Sequence, residues 1–143
     1  MATKQATKVA LAGTQPKSLS VGLIAETGTW SAGATLSLSA GDVIQMVKVP
    51  KGATPVYLFV NGSTVSGSKV IKVGDGINTG RYVAGGSISV GGFSQITMGT
   101  GVTYVPYTYS TDDTIDILLS VLSISASAAT GGYNLTVIFS MDA

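Results

Sequence analysis

Residues 134–142 read Asn-Leu-Thr-Val-Ile-Phe-Ser-Met-Asp, and this stretch decides the fold class. Every second residue from Leu135 to Met141 is apolar, the residues between them are mostly polar, and only Ile138 breaks the alternation. Successive side chains of a β-strand point to opposite faces of a sheet, so this pattern is typical of a strand with one face in a core. The stretch therefore predicts a half-buried C-terminal strand.

A second long stretch, residues 115–127, alternates in the same way but changes phase once. Its apolar residues occupy odd positions from Ile115 to Val121 and even positions from Leu122 onward. A one-residue change of phase moves side chains to the other face, which predicts a β-bulge near Val121 and Leu122. The Gly131-Gly132 pair predicts a tight turn that joins the two long strands into a hairpin.

Shorter runs of the same kind, bounded by turn residues, predict the remaining strands, and no window sustains a helical period. They lie at 18–23, at 36–40, at 43–49, at 56–60 with Asn61-Gly62 ending it, at 70–73 closed by Gly74-Asp75-Gly76, and at 103–109 with Pro106 indicating an edge or a bulge. Together the runs make about eight strands. The sequence predicts a single all-β domain over residues 18–143, with strand spacing typical of a β-sandwich or a jelly roll.

Residues 1–17 are polar and have no periodicity, so they predict an extended N-terminal arm. Lys4, Lys8 and Lys17 are the only charged residues before Glu26. An arm of this kind orders against a partner surface. We therefore expect the three lysines to contact a partner protein.

Residues 82–111 contain no carboxylate or ammonium side chain. Within them, residues 85–101 are too apolar for a free linker and too rich in glycine for a regular strand, which favours a long loop packed on a neighbouring subunit. The predicted contacts between subunits are Phe93, Tyr104, Tyr107 and Tyr109.

Composition excludes several classes of function. The 143 residues include no Cys, no His and a single glutamate, Glu26. A Ser-His-Asp triad, a thiol nucleophile, a zinc site with thiolate or imidazole ligands and a disulfide are therefore impossible. The sequence implies no cofactor, and we expect a protein that is not an enzyme.

Charge and hydropathy argue against two kinds of partner. A net charge of +1, with its eight basic residues scattered, gives no stripe for nucleic acid. The longest apolar candidate for a membrane span, residues 117–141, is interrupted by serines, the Gly131-Gly132 pair and Asn134. The first 17 residues lack the apolar core of a signal peptide. We expect a soluble protein made in the cytoplasm.

The acidic cluster Asp112, Asp113 and Asp116 is the strongest candidate for chemistry. Two carboxylates at a fixed separation could hydrolyse a glycoside, and several oxygens could bind calcium. The simpler interpretation is a turn at residues 110–113 whose side chains bond their own backbone, with Asp116 facing solvent.

Two further patterns each have a structural and a functional interpretation. The glycines around Asp75 superficially resemble a phosphate or calcium loop, but they lack the required partner residues, so a tight turn at Asp75-Gly76 is expected. A sugar-stacking platform is the functional interpretation of Trp30, Tyr104, Tyr107 and Tyr109, and core or edge packing is the structural one.

Two further segments resemble small virion proteins of tailed bacteriophages. The first is Ala40-Gly-Asp-Val-Ile-Gln-Met-Val-Lys-Val-Pro-Lys-Gly-Ala53, and the second runs from Lys72-Val-Gly-Asp-Gly76 to Gly80-Arg-Tyr-Val83. The similarity continues through residues 107–116 and 132–142, so it covers about residues 36–142. It departs in the glycine-rich residues 85–101.

This resemblance implies a jelly-roll capsid decoration or cement protein. Such a protein binds the outer face of an icosahedral head, bridges major capsid subunits and has no catalytic residues. We expect a homo-oligomer, a dimer or a trimer, on the capsid surface of the virion. The alternative is a receptor- or carbohydrate-binding module of a phage tail or fibre that uses the tyrosines.

Overall fold

The computed structural model describes residues 3–5, 22–31, 40–64, 68–88, 93–123 and 131–141. Within these ranges the chain forms nine β-strands and no helix. The strands are β1 (Thr3–Gln5), β2 (Gly22–Ser31), β3 (Val43–Val49), β4 (Ala53–Thr64), β5 (Ser68–Gly74), β6 (Val83–Ile88), β7 (Phe93–Thr97), β8 (Asp113–Ser123) and β9 (Gly131–Met141). The predicted all-β class is confirmed.

The strands form two sheets, one of five strands in the order β1-β3-β8-β5-β6 and one of four strands in the order β2-β9-β4-β7. From β2 to β9 the chain crosses between the sheets at every connection except that from β5 to β6. All pairings are antiparallel except that of β1 with β3. Eight strands wrapped in this way are a jelly roll, as the sequence predicts.

The core lies between the sheets and follows the alternation in the sequence. The predicted inward residues of β9 and β8 are fully buried: Leu135, Val137, Phe139, Ile115, Ile117 and Leu119. Met141 is partly buried and packs against this core. Burial of these side chains is the main favourable contribution to folding, at about 1.5 to 3 kcal/mol each.

The predicted bulge exists one residue earlier than expected. Val121 pairs with Val70 and Leu119 pairs with Ile71, so Ser120 is the extra residue. Its hydroxyl donates to the carbonyl oxygen of Val70 at 3.0 Å. The hydroxyl thus satisfies a backbone acceptor at the interruption of the ladder.

The predicted hairpin of the two long strands is wrong. β8 lies between β3 and β5 in one sheet, whereas β9 lies between β2 and β4 in the other. Gly131 and Gly132 are the first residues of β9 and pair with Thr64 and Ser63 of β4. A two-residue turn can join only neighbouring strands of one sheet, and the jelly roll separates these two.

The predicted strand at 43–49 is confirmed as β3, and that at 70–73 lies within β5. The strand predicted at 56–60 is longer, because β4 continues through Asn61-Gly62. A Cβ atom at Gly62 would lie 2.5 Å from the Ile88 side chain. This glycine therefore serves close packing rather than a turn.

Residues 85–101 are not one long loop, since they contain most of β6 and all of β7. A Cβ atom at Gly86 would lie 2.5 Å from the side chain of Ile96. Conversely, residues 103–109 form no strand; in this segment Tyr109 alone exchanges two backbone hydrogen bonds with the β4 edge, at Gly52 and Ala53. The strands within residues 85–101 and the absence of a strand at residues 103–109 have one cause, since tertiary packing overrides local β-propensity.

The strand predicted at 18–23 and the one predicted at 36–40 fall mostly outside the described residues. β2 begins at Gly22 and continues to Ser31, a length that the sequence pattern did not indicate. Of the predicted arm, only Thr3–Gln5 is described, as strand β1 on the edge of the five-stranded sheet. The arm and the domain boundary at residue 18 stay predictions.

Candidate functional site

Three connections meet at one end of the sandwich: residues 50–52, 75–82 and 98–112. The backbone N–H of Gly52 donates to the carbonyl of Tyr109 at 2.7 Å, and that of Gly99 donates to the carbonyl of Tyr82 at 2.8 Å. These bonds link the three connections into one surface.

Asp75 is the centre of this end. Its Oδ1 accepts the backbone N–H groups of Ile77 at 3.0 Å and of Asn78 at 2.7 Å, which confirms the predicted turn. Its Oδ2 accepts Nε of Arg81 at 2.6 Å and the hydroxyl of Tyr109 at 3.1 Å. All four bonds go to a side chain that is only 1% exposed.

These bonds keep Asp75 ionised. Burial alone would raise the pKa of its carboxyl, but the hydrogen bonds from Arg81, Asn78 and Ile77 hold that pKa below the ordinary value. Burial lowers the pKa of Arg81 and the bond to Asp75 raises it, with a net rise. Asp75 and Arg81 therefore form a permanent ion pair at neutral pH.

Aromatic rings surround this ion pair. Because Asp75 is ionised, Tyr109 donates to it, and the Tyr82 hydroxyl donates to Tyr109 at 2.8 Å. The Arg81 guanidinium lies 3.7 Å from the centre of the Tyr107 ring, whose edge-to-face contact with Tyr109 has a centroid distance of 5.1 Å. Burial raises the pKa of both Tyr82 and Tyr109, so both hydroxyls stay protonated.

The structure brings three of the predicted contact residues to this end. Tyr104 and Tyr107 are half-buried, and Tyr104 donates to the carbonyl of Pro55. Tyr109 is 2% exposed, so its side chain is occupied within the chain. Phe93 is the first residue of β7, opposite Ser63, and its side chain lies outside what the structure describes.

The predicted lysine contacts are only partly placed. Lys4 lies in β1, where its backbone pairs with Ile44, while Lys8 and Lys17 lie outside the described residues. Contact of these lysines, or of Phe93, Tyr104, Tyr107 and Tyr109, with another subunit stays a prediction.

The aromatic residues of the carbohydrate alternative do not form an open platform. Trp30 and Tyr109 are buried, and Trp30 stacks on Tyr133 at a centroid distance of 6.1 Å. One face of the Tyr107 ring is covered by Arg81. The packing interpretation of these residues is the one that the structure supports.

The acidic cluster does not form one site: Asp112 precedes β8, Asp113 begins it, and Asp116 is buried within it. Asp112 Oδ1 accepts the backbone N–H of Lys51, and Asp113 Oδ1 accepts that of Thr114, both at 2.8 Å. Asp116 is only 8% exposed, so the expectation that it faces solvent is wrong. Across the described ranges, no group of three or more His, Cys, Asp or Glu residues could hold a metal ion.

Asp116 points away from the core, as the alternation predicts, but other elements cover it. It lines a cleft with a volume of about 330 Å³, together with Thr3 of β1, Gln45 of β3 and Asp75 of the turn. Its Oδ1 atom is buried without a hydrogen-bond partner among the described residues. Burial raises its pKa to about 7; the Thr114 hydrogen bond acts in the opposite direction, and the charges of Asp113 and Asp75 add to the rise.

The outer face of the four-stranded sheet carries no charge at any described position. The register places Ala25, Ile138 and Tyr57 in one row and Thr27, Thr136 and Phe59 in the next. Leu23 is 69% exposed and Tyr57 is 42% exposed. We call this surface the uncharged face; its outward residues are odd-numbered in β2 and even-numbered in β9, and in β4 and β7 they include Tyr57, Phe59, Asn61, Gln95 and Thr97.

The outer face of the five-stranded sheet is different. Its outward residues include Lys48 of β3, Lys72 of β5 and Asp116 of β8. We call this surface the charged face, and it contains the cleft.

Sequence reasoning missed Arg81 and Tyr57 as important residues, and it singled out Asp116 but not its burial. Arg81 has a usable signal, because a basic residue six positions after an aspartate turn can reach back to it. The cover over Asp116 and the exposure of Tyr57 depend on which strands become neighbours, and no local signal reveals that.

No protein-family model and no curated protein matches the chain. Solved structures do match it along almost its whole length. One chain of the cyanophage Pam1 capsid asymmetric unit matches with a TM-score of 0.68 and 16% identity, covering 93% of this chain and 94% of that chain.

Two further capsids contain a similar chain. A chain in the capsid of Ralstonia phage GP4 matches with a TM-score of 0.74 and 14% identity, covering 99% of each chain. A chain in the acidic stable capsid structure of Helicobacter pylori bacteriophage KHP30 matches with a TM-score of 0.50 and 12% identity, covering 87% of this chain and 95% of that chain. At these identities the likeness shows a shared fold. The described ranges contain no helix long and apolar enough to cross a membrane.

Proposed function

We propose that the protein is a structural virion component, a decoration or cement protein that binds the outer surface of an icosahedral phage head and stabilises it. The observation that carries the proposal is the match of this jelly roll to chains in three phage capsids. In the Ralstonia phage GP4 capsid the matched chain is covered over 99% of its own length. The matched subunit of that capsid therefore consists of one domain with the fold described here.

The uncharged face supports association with a second copy. In a two-fold dimer each residue near the axis meets its own copy, so a charge there would meet a like charge. The uncharged face carries no charged residue at its described positions. Its exposed Tyr57, whose ring centroid lies 6.2 Å from that of Phe59, provides aromatic surface. Tyrosine and phenylalanine are enriched in protein interfaces.

The size of this face fits a dimer. Strands about 4.8 Å apart and residues about 3.3 Å along each strand give the four-stranded sheet roughly 600 to 700 Å² of outer surface. A standard protein interface buries about 800 Å² per partner. The sheet face supplies most of that area, so we propose that copies pair through it.

The arm provides the contact with the shell. Lys4, Lys8 and Lys17 follow one another along residues 1–17 without an acidic residue between them. β1, the described part of the arm, lies on the edge of the five-stranded sheet, beside the charged face. We propose that the arm and the charged face contact the major capsid protein, while the uncharged face contacts another copy.

Binding only to the assembled head would stabilise that head by mass action. A ligand that binds one state alone shifts the equilibrium toward it by RT ln(1 + [L]/Kd). Such a role needs shape, exposed contacts and a rigid fold, and it uses no reactive group.

The experiment is co-sedimentation with heads of the encoding phage that have been depleted of the protein. We expect the full chain to sediment with the heads and to raise their resistance to heat. A variant lacking residues 2–17 should lose binding while its circular dichroism spectrum stays that of a β-sandwich. Undiminished binding of that variant would remove the role of the arm, and failure of the full chain to bind would overturn the proposal.

A matched control separates charge from length. The triple variant Lys4→Gln, Lys8→Gln and Lys17→Gln keeps the arm and removes its positive charge. We expect weaker binding than that of the full chain, with less dependence on salt, because fewer ionic contacts remain to be screened.

A further inference from the structure

The cleft beside Asp116 lies within the charged face, the surface proposed above to contact the major capsid protein. It opens on the charged face between β1, β3, β8 and the turn after β5, and its walls include the apolar side chains of Val43 and Leu118. Val43 pairs with Leu118 across the sheet, and Gln45 pairs with Asp116 in the next row. The cleft therefore has an apolar row beside a polar one.

The cleft holds one carboxylate with no counter-ion among the described side chains. Asp75 also lines it, but both oxygens of Asp75 are occupied and Arg81 balances its charge. Asp116 is more than nine-tenths buried, and its Oδ1 has no hydrogen-bond partner within the described part of the chain. A buried carboxylate oxygen without a partner is costly, and this atom is where a donor would bind.

The charged and polar groups around Asp116 come from every neighbouring element. Asp113 lies on its own strand, Asp75 on the turn, Gln45 on β3 and Thr3 on β1. Lys72 of β5 is opposite Leu118, one row away. No described basic side chain contributes to the pKa of Asp116, whereas Asp113 and Asp75 both raise it.

These features fit an alkylammonium group better than a metal ion. A calcium ion takes six to eight oxygen ligands, and the cleft offers one carboxylate oxygen without a partner. A lysine side chain combines an aliphatic stem, which can lie along Val43 and Leu118, with an ammonium that donates three hydrogen bonds. The cleft volume of about 330 Å³ has room for such a chain.

We propose that this cleft binds a lysine side chain of a neighbouring subunit, with the ammonium group donating to Oδ1 of Asp116. The identity of that subunit as part of the phage head rests on the function proposed above. The pocket itself belongs to the single chain and can be tested without any head.

The first test is an NMR titration of the ¹⁵N-labelled protein with n-butylamine hydrochloride at pH 8, with 1-butanol as the uncharged control of equal length. We expect saturable shifts of the amides near Val43, Asp116 and Leu118, and an affinity about tenfold or more above that for butanol. Affinity should fall by about tenfold or more at pH 5, where Asp116 is protonated.

The variant Asp116→Asn has nearly the same shape and loses the charge. It should keep the dispersed spectrum of the folded protein and bind n-butylamine about tenfold or more weakly. Equal binding of butylamine and butanol, equal binding at the two pH values, or unchanged binding by the variant would each overturn the proposal. The pH comparison uses the unaltered protein and does not depend on the folding of the variant.

Co-sedimentation with heads separates this proposal from the proposed function. If the full chain binds and Asp116→Asn binds more weakly, the cleft contacts the head. If both bind equally, the lysine contact is wrong and the decoration role stands. If the full chain does not bind, the decoration role is wrong. The butylamine titration then tests by itself whether the cleft binds an alkylammonium group.

Discussion

The outer faces of the two sheets both follow from the alternation of side chains along β-strands, but their outward side chains differ in charge. The four-stranded sheet directs Tyr57, Phe59 and Ile138 outward without a described charge among them. The five-stranded sheet directs Lys48, Lys72 and Asp116 outward, and the turn after β5 and strand β1 partly cover it. One face suits a partner identical to itself, and the other suits a partner of complementary charge.

A residue that points outward from a strand is not always in contact with water. Tyr57, at 42% exposure, is an apolar ring in solvent, and Asp116, at 8%, is a carboxylate taken out of it. Large aromatic side chains are usually more buried than this tyrosine, and carboxylates are usually more exposed than this aspartate. Residues placed against this preference mark the surfaces where we expect contacts.

The largest expected loss of stability comes from removing the Asp75–Arg81 ion pair, which holds the turn after β5 over the charged face. Asp75→Ala leaves Arg81, Tyr109 and two backbone N–H groups without their acceptor. We expect the free energy of unfolding to fall by about 3 kcal/mol, measured by urea denaturation. Asp112→Ala is the control, because Asp112 is exposed and accepts from the Lys51 backbone alone, and it should cost about 1 kcal/mol or less. Equal losses would show that the turn does not depend on the pair.

A charge on the uncharged face should weaken pairing of copies. Tyr57→Lys removes an exposed ring and places like charges near each other across a two-fold axis. We expect the dimer dissociation constant to rise by about 100-fold, or about 2.7 kcal/mol, in analytical ultracentrifugation.

The matched control places the same charge on the other sheet. Ser87 is an exposed outward residue of β6, and Ser87→Lys should leave the dissociation constant unchanged. A wild-type protein that stays monomeric at high concentration, or a Ser87→Lys variant that dissociates equally, would contradict the assignment of the faces.

The pH dependence of stability should identify Asp116. Its pKa rises from an ordinary value of 3.8 to about 7 on folding, so the folded state binds the proton more tightly. The resulting stabilisation is full below pH 3.8 and is lost as pH rises through 7.

Each unit of pKa shift is worth about 1.4 kcal/mol, and water that enters the cleft reduces the effect. We therefore expect the free energy of unfolding to fall by about 2 kcal/mol between pH 4.5 and pH 8. Asp116→Asn should flatten this part of the profile. Asp75 does not interfere, because its lowered pKa affects stability only in more acidic solution. The same slope in the variant would assign the titration to another group.

The smallest effect concerns a polar pair on the uncharged face. The hydroxyls of Thr27 and Thr136 lie 2.9 Å apart in an exposed position. Thr136→Val removes one of them, and we expect the free energy of unfolding to change by less than about 0.5 kcal/mol, by thermal denaturation. A larger loss would mean that hydrogen bonds across this face, and not the strand ladders beneath, hold the four-stranded sheet.

Local patterns predicted the strands that have one apolar side. The alternation in β8 and β9 and the buried run of β3 were sufficient, because a period of two has one structural meaning. The change of phase located the bulge to within one residue of Ser120. The number and spacing of such runs indicated a sandwich or a jelly roll, and the resemblance to phage virion proteins implied the jelly roll.

The predictions that failed concern which strands and loops become neighbours in the fold. Gly131-Gly132 has the composition of a turn, yet β9 lies between β2 and β4, and no local pattern specifies that neighbour. Tyr107 and Tyr109 lie two positions apart, as residues on one face of a strand do. The contacts of Tyr104, Tyr107 and Tyr109 with Pro55, Arg81 and Tyr82 nevertheless hold the segment without a ladder. Asp116 looked exposed because the turn that covers it is some 40 positions away in the sequence.

The most direct measurement is cryo-electron microscopy of intact particles of the encoding phage, at a resolution that distinguishes the two sheets. We expect copies on the outer surface of the head, with their uncharged faces paired and with the arm and the charged face against the shell. Copies that present the uncharged face to bulk solvent, or particles without the protein on their surface, would contradict the proposed role.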